Sequence, residues 1–227
     1  MRVVIAGANG RVGRRLGRLL VERGDRVVGI VRNAEHEVSL AAEGIEPVVL
    51  DLEQATVDQV ASIVVDNDVV VFAAGTKLGS EADVGRKDKV DRAAAILLAD
   101  AAGEVAVRQY LMMSSMGVEA VDTGGPLPEG LDELYLRAKR AAEEGVRARP
   151  VVDLTVLRPG WLTDEPATGR VTLGSGLGFG TVSRDDVAAV MVGLLDRPCT
   201  GAVLEVVAGS TPIAEAVSGA VATAGSR

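Results

Sequence analysis

Gly7-Ala8-Asn9-Gly10-Arg11-Val12-Gly13 is the stretch that decides the fold. It follows the apolar run Arg2–Ala6 directly and opens a helical pattern over Arg11–Arg23. In a strand–turn–helix context the three glycines have separate jobs. One makes the tight turn, one lets backbone approach a pyrophosphate, and one lets the helix pack closely on the strand. The helix that follows points its positive N-terminal end at the same place. Gly7, Asn9, Gly10, Arg11, Val12 and Gly13 are thus candidate dinucleotide-binding residues. A turn that binds nothing is the alternative.

Working outward, short Val/Ile/Leu runs alternate with longer patterns of three-and-four spacing. Strands are expected at Arg2–Ala6, Arg26–Val31, Glu46–Leu50, Val69–Ala73, Gln109–Ser114 and Asp153–Arg158, with a further one over Ala202–Val207. Helices are expected at Arg11–Arg23, Gln54–Ile63, Lys87–Ala102, Glu133–Ala148 and Arg184–Leu195. Nearly continuous apolar strands separated by helices predict an α/β, doubly wound parallel sheet, the Rossmann fold. The chain reads as a single domain over residues 1–227 with a small C-terminal substrate-side portion. Glu119–Leu131 and the glycine-rich Thr163–Thr181 break the rhythm and read as loops, the second crossing a sheet face. Residues 117–131 and 163–181, with Thr76–Gly85, are expected to shape the substrate side. The last residues, from about Ser218, are expected to fray.

Composition narrows the classes. Hydrophobic residues make up 48%, yet there are only two Phe, two Tyr and one Trp, so the core is aliphatic. The net charge of −8 argues against nucleic acid as a partner. A lone Cys199 gives no internal disulfide and fits a reducing compartment. A lone His36 makes a multi-histidine metal site impossible, and no carboxylate cluster asks for a metal. No signal-like or membrane-spanning stretch is read, so a cytoplasmic chain with no membrane partner is expected. Monomer and homodimer both remain open.

Three further segments carry chemistry. The second strand ends in Arg32, where an acidic residue would bind the ribose diol of NAD; a guanidinium there suits a 2′-phosphate. NADP(H) is therefore the preferred cofactor, with NAD(H) possible, and Arg11 and Arg14 add positive charge near the turn. A solvated surface role would also explain Arg32. Tyr135-Leu136-Arg137-Ala138-Lys139 puts a phenol and an ammonium on one helical face. A phenol with pKa near ~10 needs such a cation to move protons near neutral pH. Leu157-Arg158-Pro159-Gly160 follows the sixth strand; Pro159 fixes the turn and Gly160 permits close approach.

Taken together, G-x-x-G-x-x-G, Y-x-x-x-K and R-P-G resemble the extended and atypical short-chain dehydrogenase/reductase family, over Met1 to about Val207. The resemblance implies that Tyr135 is the general acid/base and that Lys139 tunes it and holds the nicotinamide ribose. It implies that Asp51 touches the adenine amine, that Leu52 packs on the ring, and that Ala73-Ala74-Gly75 runs close to the ribose and diphosphate. Asp51 would serve equally as the N-cap of the next helix. Pro159 and Gly160 would pass the nicotinamide amide. The family's Ser or Thr falls here on Met116, a departure from the pattern. Ser115 substitutes if the loop shifts by one residue; otherwise Ser114 and Ser115 cap the strand end and line the cofactor. The implied function is an oxidoreductase acting on a small carbonyl or alcohol substrate. The alternatives are a non-catalytic NADP(H) sensor and an epimerase or dehydratase that retains its cofactor. Trp161 either stacks at the site or plugs the core, and Arg184 and Asp91 are lesser candidates. Ser183 reads as a helix N-cap, His36 as exposed and Cys199 as inert.

Overall fold

The structure, a computed structural model, describes residues 1–75, 92–128, 130–151 and 153–224. Thr76–Gly85, Asp91 and the start of the helix expected at Lys87–Ala102 lie outside the described residues.

The first half of the sheet is parallel. It uses β1 (Arg2–Ala6), β2 (Arg26–Val31), β3 (Glu46–Val49), β4 (Val69–Phe72), β5 (Gln109–Met113) and β6 (Asp153–Pro159). Their spatial order is β3-β2-β1-β4-β5-β6. The order reverses between β1 and β4, so a crevice opens beyond the carboxyl ends of these two strands. Val4 stands opposite Val28 on one side and Val70 on the other. Period-2 alternation sends Val3 and Ile5 to one face of the sheet and Val4 and Ala6 to the other. Both faces are covered, which is why β1 has no polar position after Arg2.

On one face lies α1 (Arg11–Glu22), packed through Val12, Leu16 and Leu20. Beside it lie α7 (Arg184–Asp196) and α8 (Ile213–Ala224). The other face carries α3 (Val57–Val64), α4 (Ala94–Glu104) and α6 (Glu133–Arg147). A short α2 (Glu37–Ala41) and α5 (Ala120–Thr123) complete the α-helices among the described residues, with a 3-10 turn over Ala34–His36 leading into α2.

Several expectations are corrected. The helix placed at Gln54–Ile63 begins at Val57, because Thr56 caps it in a box with Gln59. Asp51 is therefore not its N-cap; its Oδ1 accepts the Glu53 N–H at 3.0 Å. Thr163–Thr181 is not a plain crossing loop. It contains β8 (Arg170–Gly174) and reaches β9 (Thr181–Ser183), which pairs with β7 (Trp161–Thr163). Strand β8 pairs antiparallel with β10 (Val203–Ala208) and with β11 (Thr211–Pro212). The sheet thus continues past β6 as β10-β8-β11. Residues 218–224, expected to fray, belong instead to α8, which buries Val217 and Ala220. Among the described residues no helix is long and apolar enough to cross a membrane.

Candidate functional site

The glycine turn sits at the switch point. Gly7 adopts φ +86°, and a Cβ there would fall 2.6 Å from the Ala74 nitrogen. The end of β1 and the segment after β4 are that close. A Cβ on Gly13 would fall 2.3 Å from the Gly7 carbonyl oxygen, so the third glycine lets α1 begin directly against the turn. The Gly10 N–H donates to the Gly7 carbonyl at 2.8 Å and locks the turn. Gly10 is also the N-cap of α1, with no side-chain cap and no acidic residue in the first turn. The first N–H groups of a helix have no intrahelical acceptor. Here they stand uncapped beside a cradle that any Cβ would fill. Those features fit a dinucleotide pyrophosphate.

The cations offered to phosphate all meet carboxylates. Arg11 pairs with Asp164. Arg14 Nε donates to both Glu43 oxygens at 3.0 Å, and its Nη1 donates to Asn9 Oδ1 at 3.3 Å. Arg32 Nη1 donates to Glu53 Oε1 at 3.1 Å. Asp164 also receives Arg184 at 3.1 Å and Arg15 at 3.5 Å, so residues after β7 are tied to the starts of α1 and α7. Arg184, a lesser candidate for the crevice, is committed to that cluster. Burial, with Arg11 and Arg15 nearby, pulls its guanidinium below its ordinary value.

Tyr135 and Lys139 share one face of α6. Asp132 caps the helix by accepting the Tyr135 N–H at 2.6 Å, which fixes Tyr135 in the first turn. The Tyr135 ring is half-buried against the cluster of Val118, Leu131 and Leu136. Lys139 is only 2% exposed. Its Nζ reaches the Ala74 carbonyl at 3.5 Å and lies 5.9 Å from the Tyr135 and Phe72 ring centres. One ammonium thus connects the phenol to the backbone that touches Gly7. Ala73, meanwhile, extends the β4–β1 ladder through its N–H to the Ala6 carbonyl at 2.9 Å.

The hydroxyls are less well placed. Ser115 is buried and its Oγ donates to the Met116 carbonyl at 3.0 Å. Met116 is buried too, with its N–H on the Pro159 carbonyl at 3.0 Å. Ser114 Oγ, also buried, makes no hydrogen bond of good geometry among the described residues. It nevertheless lies close enough to Glu143 to favour that carboxylate's charged form.

Glu143 and Arg158 were missed as a pair by sequence reasoning. Arg158 Nε and Nη2 donate to Glu143 Oε1 and Oε2 at 2.8 and 2.6 Å, a buried two-pronged bridge between β6 and α6. Arg158 also meets Glu119. Burial pushes the Glu143 carboxyl up; Ser114, Arg147, Arg140 and Lys139 oppose it. Burial pulls the Arg158 guanidinium down, opposed by Glu205. The signal was present in sequence, since Tyr135, Lys139 and Glu143 are spaced i, i+4, i+8 on one face. Gly160 is required for a reason not foreseen: a Cβ there would lie 2.1 Å from the Gly180 carbonyl oxygen.

The remaining candidates fall into structural roles. Trp161 packs edge-on to Phe179, ring centres 6.4 Å apart, and covers Gly130. Ser183 caps α7 by accepting the Asp186 N–H at 2.9 Å. Cys199 is buried, and burial pushes its thiol up, so it is a poor nucleophile. A separate open groove of about 850 Å³ runs over β10 and β8, lined in part by Arg140, Arg158, Glu205 and Thr172; it touches none of the cofactor candidates. Among the described residues no group of three or more His, Cys, Asp or Glu could hold a metal.

Comparison with known proteins agrees with this fold. A family model described as NAD(P)H-binding matches residues 7–198. The "Uncharacterized sugar epimerase YhfK" of Bacillus subtilis is 32% identical, over 96% of this chain and 99% of its own. A solved structure from Bacillus halodurans, whose name assigns it only provisionally to the NAD-dependent epimerases/dehydratases, is 34% identical. It superposes with TM-score 0.84 over 96% of this chain and 99% of its own. A short-chain dehydrogenase/reductase of Veillonella parvula in complex with NADP shares the fold, with TM-score 0.71, 17% identity and coverage of 93% and 96%.

Proposed function

Because the chain belongs to the NAD(P)H-binding family of atypical short-chain dehydrogenase/reductase-like proteins, we propose that it is an NADP(H)-dependent oxidoreductase. Its substrate is a small carbonyl or alcohol compound, held between residues 117–131 and 163–181. The observation that carries this reading is Lys139. A buried ammonium beside the Tyr135 ring and on the Ala74 carbonyl joins a proton-handling group to the glycine turn. When bound, the nicotinamide supplies or accepts the hydride. The chain's own residues do the rest. Gly7, Asn9, Gly10, Arg11, Val12 and Gly13 hold the pyrophosphate. Asp51 and Leu52 take the adenine, Arg32 the 2′-phosphate, and Ala73, Ala74 and Gly75 the ribose side. Ser114, Pro159 and Gly160 line the nicotinamide side. Tyr135 gives its Oη proton to the substrate oxygen as the carbonyl becomes an alcohol, and Lys139 favours the resulting phenolate by its charge.

The proposal makes Tyr135→Phe the decisive variant. With NADPH and a panel of aldehydes, ketones and quinones, nicotinamide oxidation by the native chain should fall about 10²–10⁴-fold in the variant. Undiminished turnover would remove Tyr135 from the role. A second reading has its own observation: Met116 occupies the usual hydroxyl position and the Ser115 hydroxyl is spent on the Met116 carbonyl. On that reading the chain is an NADP(H) sensor, and bound NADPH is never consumed. An epimerase or dehydratase, as the relatives' names suggest, would turn over with no net change in the nicotinamide.

A further inference from the structure

At the end of β2 a cation and an anion stand together where the sequence suggested a cation alone. Arg32 follows β2, at the strand end assigned to the adenosine ribose under the proposed function, and its side chain is 45% exposed. Glu53, whose carboxylate it meets at 3.1 Å, is 17% exposed. Glu53 is not a drifting surface residue. Its N–H is held by Asp51 Oδ1 at 3.0 Å, and the Leu50 N–H donates to the Val31 carbonyl at 2.9 Å. The second bond ties the end of β3 to the end of β2, and the first closes the turn that carries Glu53. Among the described residues, Arg32 hydrogen-bonds through Nη1 only, so Nε and Nη2 remain as donors for a ligand.

We propose that Glu53 is the cofactor-specificity residue of this site: it opposes a 2′-phosphate beside Arg32, so that the site takes NAD(H) as well as NADP(H). This rests on the nucleotide site assigned under the proposed function. The argument is electrostatic. A 2′-phosphate at Arg32 brings negative charge within a few ångströms of a carboxylate that stands 3.1 Å from the guanidinium and is carried on a tethered turn. A ribose carrying a free 2′-hydroxyl meets no such repulsion and finds an acceptor in the same carboxylate. Arg32 attracts the phosphate and Glu53 discounts that attraction; the pair sets the balance.

The test is a fluorescence titration of the native chain, Glu53→Gln and Arg32→Gln with NADPH and with NADH. Gln keeps the size of Glu53 and removes only its charge. The NADPH-to-NADH affinity ratio should rise about three- to tenfold in Glu53→Gln and fall by a similar factor in Arg32→Gln. The rise should shrink at high salt, since both groups are partly exposed. An unchanged or lower ratio in Glu53→Gln, with the native chain still binding, overturns this inference and leaves the functional reading standing. A ratio unmoved by Arg32→Gln overturns it as well, because the attraction that Glu53 opposes is then not at Arg32. A native chain that binds neither nucleotide overturns both.

Discussion

Lys139, Glu143 and Arg158 show how much the site depends on charges kept out of water. A buried Arg–Glu pair adds little over an apolar pair of equal shape, but removing one partner leaves the other charged and alone. Glu143→Ala should therefore destabilise the chain by about 3–5 kcal/mol in a denaturant titration. The double change Glu143→Leu with Arg158→Met should recover most of that loss. A single variant as stable as the native chain would show that the bridge does not hold α6 on β6. Tyr135→Phe should behave oppositely: stability and NADPH affinity held, turnover lost. At this scale the glycine turn was legible because its residues are contiguous and each glycine answers a local steric need. Tyr135 and Lys139 were legible from spacing. The Glu143–Arg158 bridge was not read: the helical spacing puts Glu143 on the face of Tyr135 and Lys139, but its partner lies on another element 15 residues on, which that spacing does not encode. The carboxylate partners of Arg11, Arg14 and Arg32 were hidden for the same reason.

The elements were read best where apolar periodicity was strong. Strands β1 to β6 lie within a residue or two of where Val/Ile/Leu runs placed them. Helix α3 was placed three residues early, with Asp51 one candidate for its cap, whereas Thr56-Val57-Asp58-Gln59 carries the capping box. Thr56→Ala should cost about 1 kcal/mol, read as a lowered denaturant midpoint with unchanged slope. No change would mean that the cap is formed by another group. Strand β8 was hidden by the glycines around it; its identity comes from pairing with β10, which no local pattern encodes. Helix α8 was hidden because its small residues read as a fraying tail, although Ala favours helix and packs closely. Gly13→Ala belongs to this scale too. Its methyl would meet the Gly7 carbonyl, so α1 must shift from the turn. NADPH binding should weaken at least tenfold, about 1.4 kcal/mol, and unaltered affinity would separate the turn from the nucleotide.

For the whole molecule, the sheet reverses its order between β1 and β4, and both of its faces are covered. Stability should follow acid strength in a defined direction. Burial raises the Asp186 carboxyl, but N–H groups of Thr168 and Gly169 and the hydroxyls of Ser183 and Thr168 outweigh it, holding it below 3.8. Burial likewise raises Asp25, outweighed by the N-terminal ammonium and Arg23. A carboxyl lowered on folding contributes stability above its unfolded value that is lost as pH falls through the folded one. The denaturant midpoint should therefore decline below about pH 4, and Asp186→Asn should flatten part of that decline. A native midpoint that rises on acidification would contradict the assignment. The most direct test of the account as a whole is titration of the purified chain with NADPH, followed by nicotinamide fluorescence. Saturable binding of one NADPH per chain, weakened by Gly13→Ala, is the predicted result. No saturable binding of NADPH or NADH would contradict the claim that the glycine turn at the switch point holds a dinucleotide.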